Sequence, residues 1–398
     1  MVSGEYPPMQ GGVGRYTSNL VHALSNKAEV VVVCNKSNVN NEDNVYSLIS
    51  TGDYDNSNAI LKLMKDIRPD IVHIQYENAL YERGTTLSGI VKNRISYSPK
   101  TTLDKFYLTS SVPTVTTLHT VYPYDEYIAY VRERIHEKEG RFRFLPVRFR
   151  APIRRWVFDK GYNLFTHITK FSNEIINLAR ATHDIVGRGR VIYHGGEPIP
   201  SDASREELRE EFGLPRDKML LLAFGYADSS KGLEILSKVE LPHDWVIVTK
   251  QTKHYRSLDK TVNVQNGINL DLGYMNEYSM SKLFFACDAI VLPYEIVAIS
   301  GVMFDALAHG LPFVASNLTF FREFAEQGLG VVSHREPKSL SNAINLLSSD
   351  YEKFRRNVEN FRPELRWDMV ASKHMEVYLE LIDDDRESHK HDPIIKEK

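Results

Sequence analysis

Residues 4–20 read GEYPPMQGGVGRYTSNL, a Pro pair, a glycine cluster and a helix start in direct succession. Gly11, Gly12 and Gly14 leave room for another group to approach the backbone, and the run Tyr16–Leu24 predicts a helix. The free amide N–H groups and positive dipole end of that helix face whatever enters the gap, and a phosphate or diphosphate suits them. Ordinary strand-to-helix punctuation gives the same pattern, so the segment needs company before it means more. Only Met1-Val2-Ser3 precede the loop, where a first strand ordinarily takes about five residues. Two expectations follow: either that strand is very short, or the natural chain begins earlier.

Working outward, short β-branched runs alternate with helical patterns. Glu29–Cys34, Asp70–Gln75 and Val112–Leu118 lie in the first half; Met219–Phe224, Trp245–Thr249, Ala289–Pro293 and Pro312–Ser316 lie in the second. Continuous apolar strands separated by helices predict parallel sheets covered on both faces, hence an α/β chain of two doubly wound, Rossmann-like domains. The 398 residues are too many for one ordinary core, which agrees. The expected organisation is 1–192, 193–365, a returning helix at 366–382 and a charged, disordered tail at 383–398. The boundary rests on the strand-like RVIYH running into GGEPIP and a polar helix, Ser204–Phe212.

Composition narrows the class. A 42% apolar and 25% charged content is that of a globular protein, and a net charge of −3 argues against wrapping nucleic acid. Cys34 and Cys287 have no CxxC partner or histidine cluster and read as buried core thiols. No apolar run reaches the roughly 18 residues that span a bilayer, and no signal-like segment opens the chain. The expectation is a cytoplasmic protein, at most peripheral on a membrane face.

Ligands of doubly wound folds sit at the carboxyl ends of strands, which selects the candidates. Gln75-Tyr76-Glu77 and His119 end two strands of the first half. An imidazole at His119 suits a sugar hydroxyl or a phosphate oxygen, and a plain loop contact competes with that reading. In FGYADSSKGLEIL, Lys231 places a mobile cation where a departing diphosphate gains charge, against the alternative of a solvated turn lysine. Within PYEIVAISGVMFDALAHGLP, Ser300-Gly301-Val302 opens a helix and offers backbone amides. Asp305, about one turn further in, suits a ribose diol or simply complements the helix dipole.

In order and spacing these segments resemble the family 4 glycosyltransferases, retaining enzymes of the GT-B fold that transfer a sugar from a nucleotide donor. The resemblance rests on PPMQGGVGRYTSNL, RPDIVHIQ, VTTLHT, VIYHGG, the GY…KG spacing at Gly225–Gly232, and CDAIVLPY…SGVMFDALAHGLPFVAS, and runs as far as Trp367. It implies two Rossmann-like domains whose parallel sheets face a central cleft. It implies that Gly11, Gly12 and Gly14 face the donor diphosphate, that His119 contacts the transferring sugar and that Lys231 binds the diphosphate. Ser300, Gly301 and Val302 would supply backbone contacts and Asp305 would hold the ribose, with no metal and no cofactor beyond the donor substrate. The chain departs from the family in two places. Tyr226 stands where Arg is common, and Val297 stands eight residues before Asp305, where the family has the first of two glutamates. Glu295, two residues earlier, is the candidate substitute.

For the acceptor side, RFRFLPVRFRAPIRR at 141–155 holds six arginines with interleaved phenylalanines. Arg148, Arg150, Arg154 and Arg155 suit an anionic membrane surface or a lipid-linked phosphate acceptor, against a solvated domain surface. The function implied is transfer of a hexose-type sugar from a UDP- or GDP-linked donor to a glycan or lipid-linked hydroxyl. Two alternatives stand beside it: an inactive GT-B protein that binds a nucleotide-sugar or glycan, and an epimerase using Glu77, Glu295 and Asp305.

Overall fold

A computed structural model of the chain describes residues 1–39, 42–81, 101–137, 168–252 and 261–390. By its internal contacts the chain divides into two units. The first holds Met1–Val121, Val131–Tyr193 and Trp367–Lys398; the second holds Tyr122–Tyr130 and His194–Arg366.

Among the described residues the first unit is built on seven strands: β1 (Val2–Ser3), β2 (Val32–Asn35), β3 (Val45–Ile49), β4 (Val72–Tyr76), β5 (Thr114–Leu118), β6 (Glu174–Asn177) and β7 (Arg190–Val191). Their order is β3-β2-β1-β4-β5-β6-β7, and every recorded pair is parallel. The order reverses between β1 and β4, which places the topological switch point at the carboxyl ends of those two strands. Helices α1 (Gly12–Leu24), α2 (Asn56–Ile67), α3 (Asn78–Tyr81), α4 (Asp104–Thr109), α5 (Tyr124–Glu137) and α6 (Arg180–Val186) connect them. Val2, Val33, Ile74, Phe106, Leu118 and Ile175 form the buried core.

The second unit repeats the plan with β8 (Met219–Tyr226), β9 (Trp245–Thr252), β10 (Gly267–Leu270), β11 (Ala289–Leu292), β12 (Phe313–Ser316) and β13 (Gly330–Ser333). These run parallel in the order β10-β9-β8-β11-β12-β13. Its helices are α7 (Arg205–Glu211), α8 (Glu277–Ala286), α9 (Gly301–Ala308), α10 (Thr319–Ala325), α11 (Pro337–Ser349) and α12 (Tyr351–Phe361). The polar helix α7 starts where its sequence dictates. Ser204 accepts from the Glu207 amide, and the Glu207 carboxylate accepts from the Ser204 amide, a full capping box. Leu221, Ile247, Val291, Val314 and Ile344 fill this core.

The seven apolar runs read from sequence all become strands. The strands that escaped are half-buried edge strands such as VYSLI (β3) and GINL (β10), or short ones such as EIIN (β6). Polar residues interrupt their apolar signal because one side of an edge faces water. The tail needs a correction. Helix α13 spans Trp367–Lys390, so its first eight residues past 382 are helical rather than disordered. Arg386 lies 3.9 Å from Asp383, one turn back, and 3.9 Å from Asp70, which gives this charged stretch partners that a tail lacks. Residues 391–398 lie outside the described residues. The first turn of α5 belongs to the second unit, where Glu126 Oε1 accepts from the Thr319 amide (2.6 Å) and hydroxyl (2.5 Å). Cys34 and Cys287 are buried free thiols. Among the described residues no helix is long and apolar enough to cross a membrane.

Candidate functional site

In the first unit the glycine segment begins α1 as expected, with Gly11 at the N-cap in extended conformation (φ −166°) and no side-chain cap of its own. The group that fills the gap is internal. Glu5, only 5% exposed, turns its carboxylate onto the helix start, where Oε2 accepts from the Gly14 amide at 3.2 Å. A Cβ on Gly11 would run into that carboxylate, and one on Gly14 would sit 3.0 Å from Glu5 Cγ. A Cβ on Gly12 would meet nothing within 4 Å. Glu5 thus fills the space beside Gly11 and packs against Gly14, while Gly12 borders open space. A negative side chain at a helix N-terminus satisfies an orphan amide and complements the dipole.

His119 and Glu77 end the neighbouring strands. The His119 amide donates to Tyr76 O (3.0 Å), its ring packs edge-on against buried Tyr16 (centroids 4.9 Å), and its Nε2 lies 2.8 Å from Gln75 Oε1. Glu77, half-buried, accepts from the Thr120 hydroxyl and, at 3.4 Å, from the Ala79 amide. Burial pushes its carboxyl up to about 7, the Ala79 hydrogen bond opposes this, and the charge of Glu5 adds to the rise. Glu5, Glu77 and His119 thus follow β1, β4 and β5 around the switch point. One cavity of this unit, about 760 Å³ and lined by Val31, Val72 and Ile382, opens instead at the amino ends of the strands.

The second unit holds the other candidates. Lys231 lies in a short 3₁₀ turn, Ser229–Lys231, that Asp228 starts by accepting from the Ser230 amide (2.7 Å). The turn is pinned to the end of β11. Glu295 N donates to Ser230 O (2.8 Å), and the Lys231 ammonium stands 3.8 Å from the centroid of the Tyr294 ring, a cation–π contact. Gly232 is left-handed (φ 64°) and a Cβ there would clash with Pro293 O, so no other residue fits. The Glu295 carboxylate is engaged by Arg335 at 2.9 Å, and Arg335 also reaches Glu234 at 2.7 Å.

Helix α9 starts at Ser300, whose hydroxyl accepts from the Met303 amide at 3.2 Å. Gly301 lies against His194, whose ring stacks on Phe304 (5.6 Å, 7°). Val302 is partly buried and Asp305, on the same helix, is 2% exposed. The structure therefore brings Lys231, Glu295, Ser300, Gly301, Val302 and Asp305 onto one unit, and Gly11, Gly12, Gly14 and His119 onto the other. Arg148, Arg150, Arg154 and Arg155 lie outside the described residues. No group of three or more His, Cys, Asp or Glu side chains suited to a metal occurs among the described residues.

Sequence reading missed Glu5, Gln75's bond to His119, Tyr294, Arg335 and His194. VIYHGG, quoted for its pattern, was the signal for His194. Nothing local marks the others, because their contacts depend on how the chain folds back or on which elements become neighbours.

Two family models match the chain: Glycosyltransferase Family 4 over residues 10–197 and Glycosyl transferases group 1 over residues 233–350. Each half of the chain thus carries a glycosyltransferase domain, and the fold is the GT-B fold. Among curated proteins it is similar to an uncharacterized glycosyltransferase of Methanocaldococcus jannaschii, 26% identical over 207 residues, 48% of this chain and 53% of that protein. The chain thus spans about half the length of the curated relative it matches, at 53%. Among solved structures it is similar to sucrose-phosphate synthase from Thermosynechococcus elongatus (TM-score 0.64, 14% identity, 96% of this chain and 99% of that one). It is also similar to HepE of Anabaena in complex with UDP and glucose (TM-score 0.59, 14% identity, 94% of this chain and 98% of that one). At such identity the likeness establishes the fold.

Proposed function

We propose that this glycosyltransferase moves a hexose-type sugar from a UDP- or GDP-linked donor to a hydroxyl of a glycan or lipid-linked acceptor, with retention at the anomeric carbon and without a metal. The observation that carries the reading is the second-unit cluster. Lys231 is fixed over Tyr294 beside the Pro293–Glu295 turn, at the same carboxyl edge of the sheet that leads into α9. A cation held by a ring and a backbone tie is positioned before any ligand arrives, which is what stabilising a leaving diphosphate requires. The similar fold of Anabaena HepE, solved in complex with UDP and glucose, supports a nucleotide-sugar donor.

In this proposal Lys231 and the amides of Ser300, Gly301 and Val302 hold the diphosphate, and Asp305 takes the ribose diol. The bond between the anomeric carbon and the diphosphate oxygen breaks, and the acceptor oxygen bonds to that carbon on the same face. The departing diphosphate takes the acceptor's proton, so no further base is needed. His119 and the glycine segment of the first unit are assigned to the sugar and donor. Glu295 is retained as a donor residue acting through its ion pair, with Arg335 holding its carboxylate in place. The arginine segment at 141–155 is assigned to an anionic acceptor or membrane surface.

Thermal melts with UDP, GDP, ADP and their hexose conjugates test the reading, because a ligand that binds only the folded state raises its midpoint. A rise with a uridine or guanosine conjugate, lost in Lys231→Ala, is the expected result. No rise with any nucleoside diphosphate overturns it. Liposome flotation with and without Glu at Arg148, Arg150, Arg154 and Arg155 tests the surface; equal binding removes that assignment.

A further inference from the structure

A buried chain of polar side chains leads inward from His119. Its Nε2 lies 2.8 Å from Gln75 Oε1, and a carboxamide oxygen only accepts. The other end of the same amide, Nε2, only donates; it lies 3.2 Å from His73 Nε2 and 3.1 Å from Met1 Sδ. His73 Nε2 also meets the Thr117 hydroxyl at 2.7 Å, and His73 Nδ1 meets the Tyr378 hydroxyl at 2.5 Å. Gln75 and His73 are 0% and 3% exposed, and all six residues belong to the first unit.

The donor and acceptor inventory closes in one direction. Met1 Sδ has no proton to give, so the Gln75 amide turns its nitrogen toward it and toward His73. The His73 Nε2 lone pair accepts from that amide with the Thr117 hydroxyl beside it, and His73 Nε2 therefore carries no proton. His73 Nδ1 then bears the ring proton and gives it to Tyr378. With its nitrogen turned to His73, Gln75 presents its oxygen to His119, which must supply the proton from Nε2. We propose that Gln75 and His73 act as positioning residues that fix neutral His119 in its Nε2–H form, making Nδ1 a hydrogen-bond acceptor for a hydroxyl of the transferring sugar rather than a donor to phosphate. The hydroxyl assignment rests on the transferase reading; the tautomer does not. Burial, the neighbouring His374 and the chain's amino terminus hold His73 well below the usual histidine range, so the relay keeps one polarity across the working pH. The choice matters because the two ring nitrogens of a neutral imidazole have opposite roles, and the hydrogen bond at one sets the chemistry of the other.

The test is a long-range ¹H–¹⁵N correlation spectrum of the full chain labelled at histidine nitrogens, without ligand. The chain has 14 histidines, so His119→Gln identifies the signals that belong to His119. The expected wild-type pattern is a protonated-type shift at Nε2 and a lone-pair-type shift at Nδ1. Gln75→Glu, which still accepts from Nε2–H, keeps that pattern, and Gln75→Leu moves His119 toward averaged shifts. A proton on Nδ1 in the wild type overturns the proposal, as does an unchanged tautomer in Gln75→Leu. The wild-type spectrum decides even if the leucine variant does not fold. Since no nucleotide is present, failure of the donor reading leaves this outcome separate.

Discussion

The starts of α1 and α9 look alike in sequence, each a glycine or serine-glycine turn after a strand, but the structure fills them differently. At α1 a carboxylate from the same chain occupies the positive end of the helix, with Glu5 taking the Gly14 amide. At α9 the cap is a neutral hydroxyl, Ser300, and a held cation, Lys231, belongs to the same unit. A helix start that already contains an anion has less to gain from a second one, since two like charges in one place repel. At the second unit's start the group that accepts from the first-turn amide is a neutral hydroxyl. On the proposed transferase reading, this difference gives the principal diphosphate role to the second unit, while Gly12 borders open space in the first segment.

The largest effect expected is at Lys231. Removing one pre-positioned electrostatic contact to a developing charge costs about 3 kcal/mol in barrier, or on the order of 10²–10³ in turnover. Lys231→Ala is expected to lose that much in a donor-turnover assay, with thermal stability within about 2 kcal/mol of wild type because the lost contact is a single half-buried cation–π pair. Wild-type turnover in this variant would break the comparison at its stronger end.

Gly11→Ala comes next and reads out in stability. The added methyl meets the Glu5 carboxylate, and forcing a group into a filled space costs roughly 1–3 kcal/mol. Gly12→Ala, with nothing within 4 Å of its new Cβ, is expected to be near neutral in the same urea titration. Combined with Glu5→Ala, the penalty at Gly11 is expected to shrink, since a double-mutant cycle isolates the clash. An equal cost for Gly11→Ala and Gly12→Ala would mean that Glu5 does not fill the turn.

These contrasts show what sequence could and could not carry. Alternation of apolar strands with helices gave both sheets, because a parallel strand buried on both faces is continuous in sequence. Lys231, Ser300 and His119 could be picked out as candidates because a residue at a strand end follows its own strand. Glu5 was not singled out although it stands inside the opening segment. Its role depends on a chain reversal that brings residue 5 back onto residue 14, and no periodicity encodes that. Gln75 was named as a strand-end residue, yet its tie to His119 needs β4 and β5 to be neighbours in register, with Tyr76 beside Leu118. Arg335 comes from the far strand β13 and could be found only once the sheet order was known.

A buried acid and a buried histidine of the first unit give a pH test. Glu77 is raised from 4.5 to about 7, so the folded protein holds a proton that the unfolded chain releases, and stability falls as pH rises from about 4.5 through 7. His374, lowered by burial from 6.5 to about 4, works the other way, because the unfolded chain takes up its proton first as pH drops. In wild type the two slopes oppose each other. Glu77→Gln removes one, and its stability is expected to rise steadily from pH 4 to 6.5, by roughly 3 kcal/mol from the fully buried His374, with His73, lowered in the same direction, adding to the slope. Glu5→Gln is expected to lower the Glu77 carboxyl toward its ordinary range without restoring it, as burial is the larger cause. Titration of the side-chain carboxyl by ¹³C NMR reads this; no change on removing the Glu5 charge would separate the two acids.

The smallest effect bears most directly on the contrast between the two helix starts. Ser300→Ala deletes the cap that accepts from Met303, an expected cost of about 1 kcal/mol. Glu5→Gln keeps an acceptor at Gly14 but removes the charge at the other start, for about 0.3–1 kcal/mol. Their responses to ligand differ in sign of argument, not in size. A diphosphate seated on the amides at α9 supplies the acceptor that Ser300→Ala removed, so saturating UDP is expected to narrow the gap in melting midpoint between that variant and wild type. The start of α1 is already satisfied from within, and the gap produced by Glu5→Gln is expected to stay the same with UDP. If the nucleotide narrows the Glu5 gap and leaves the Ser300 gap unchanged, the diphosphate belongs to the first helix, and the assignment drawn from their difference is reversed.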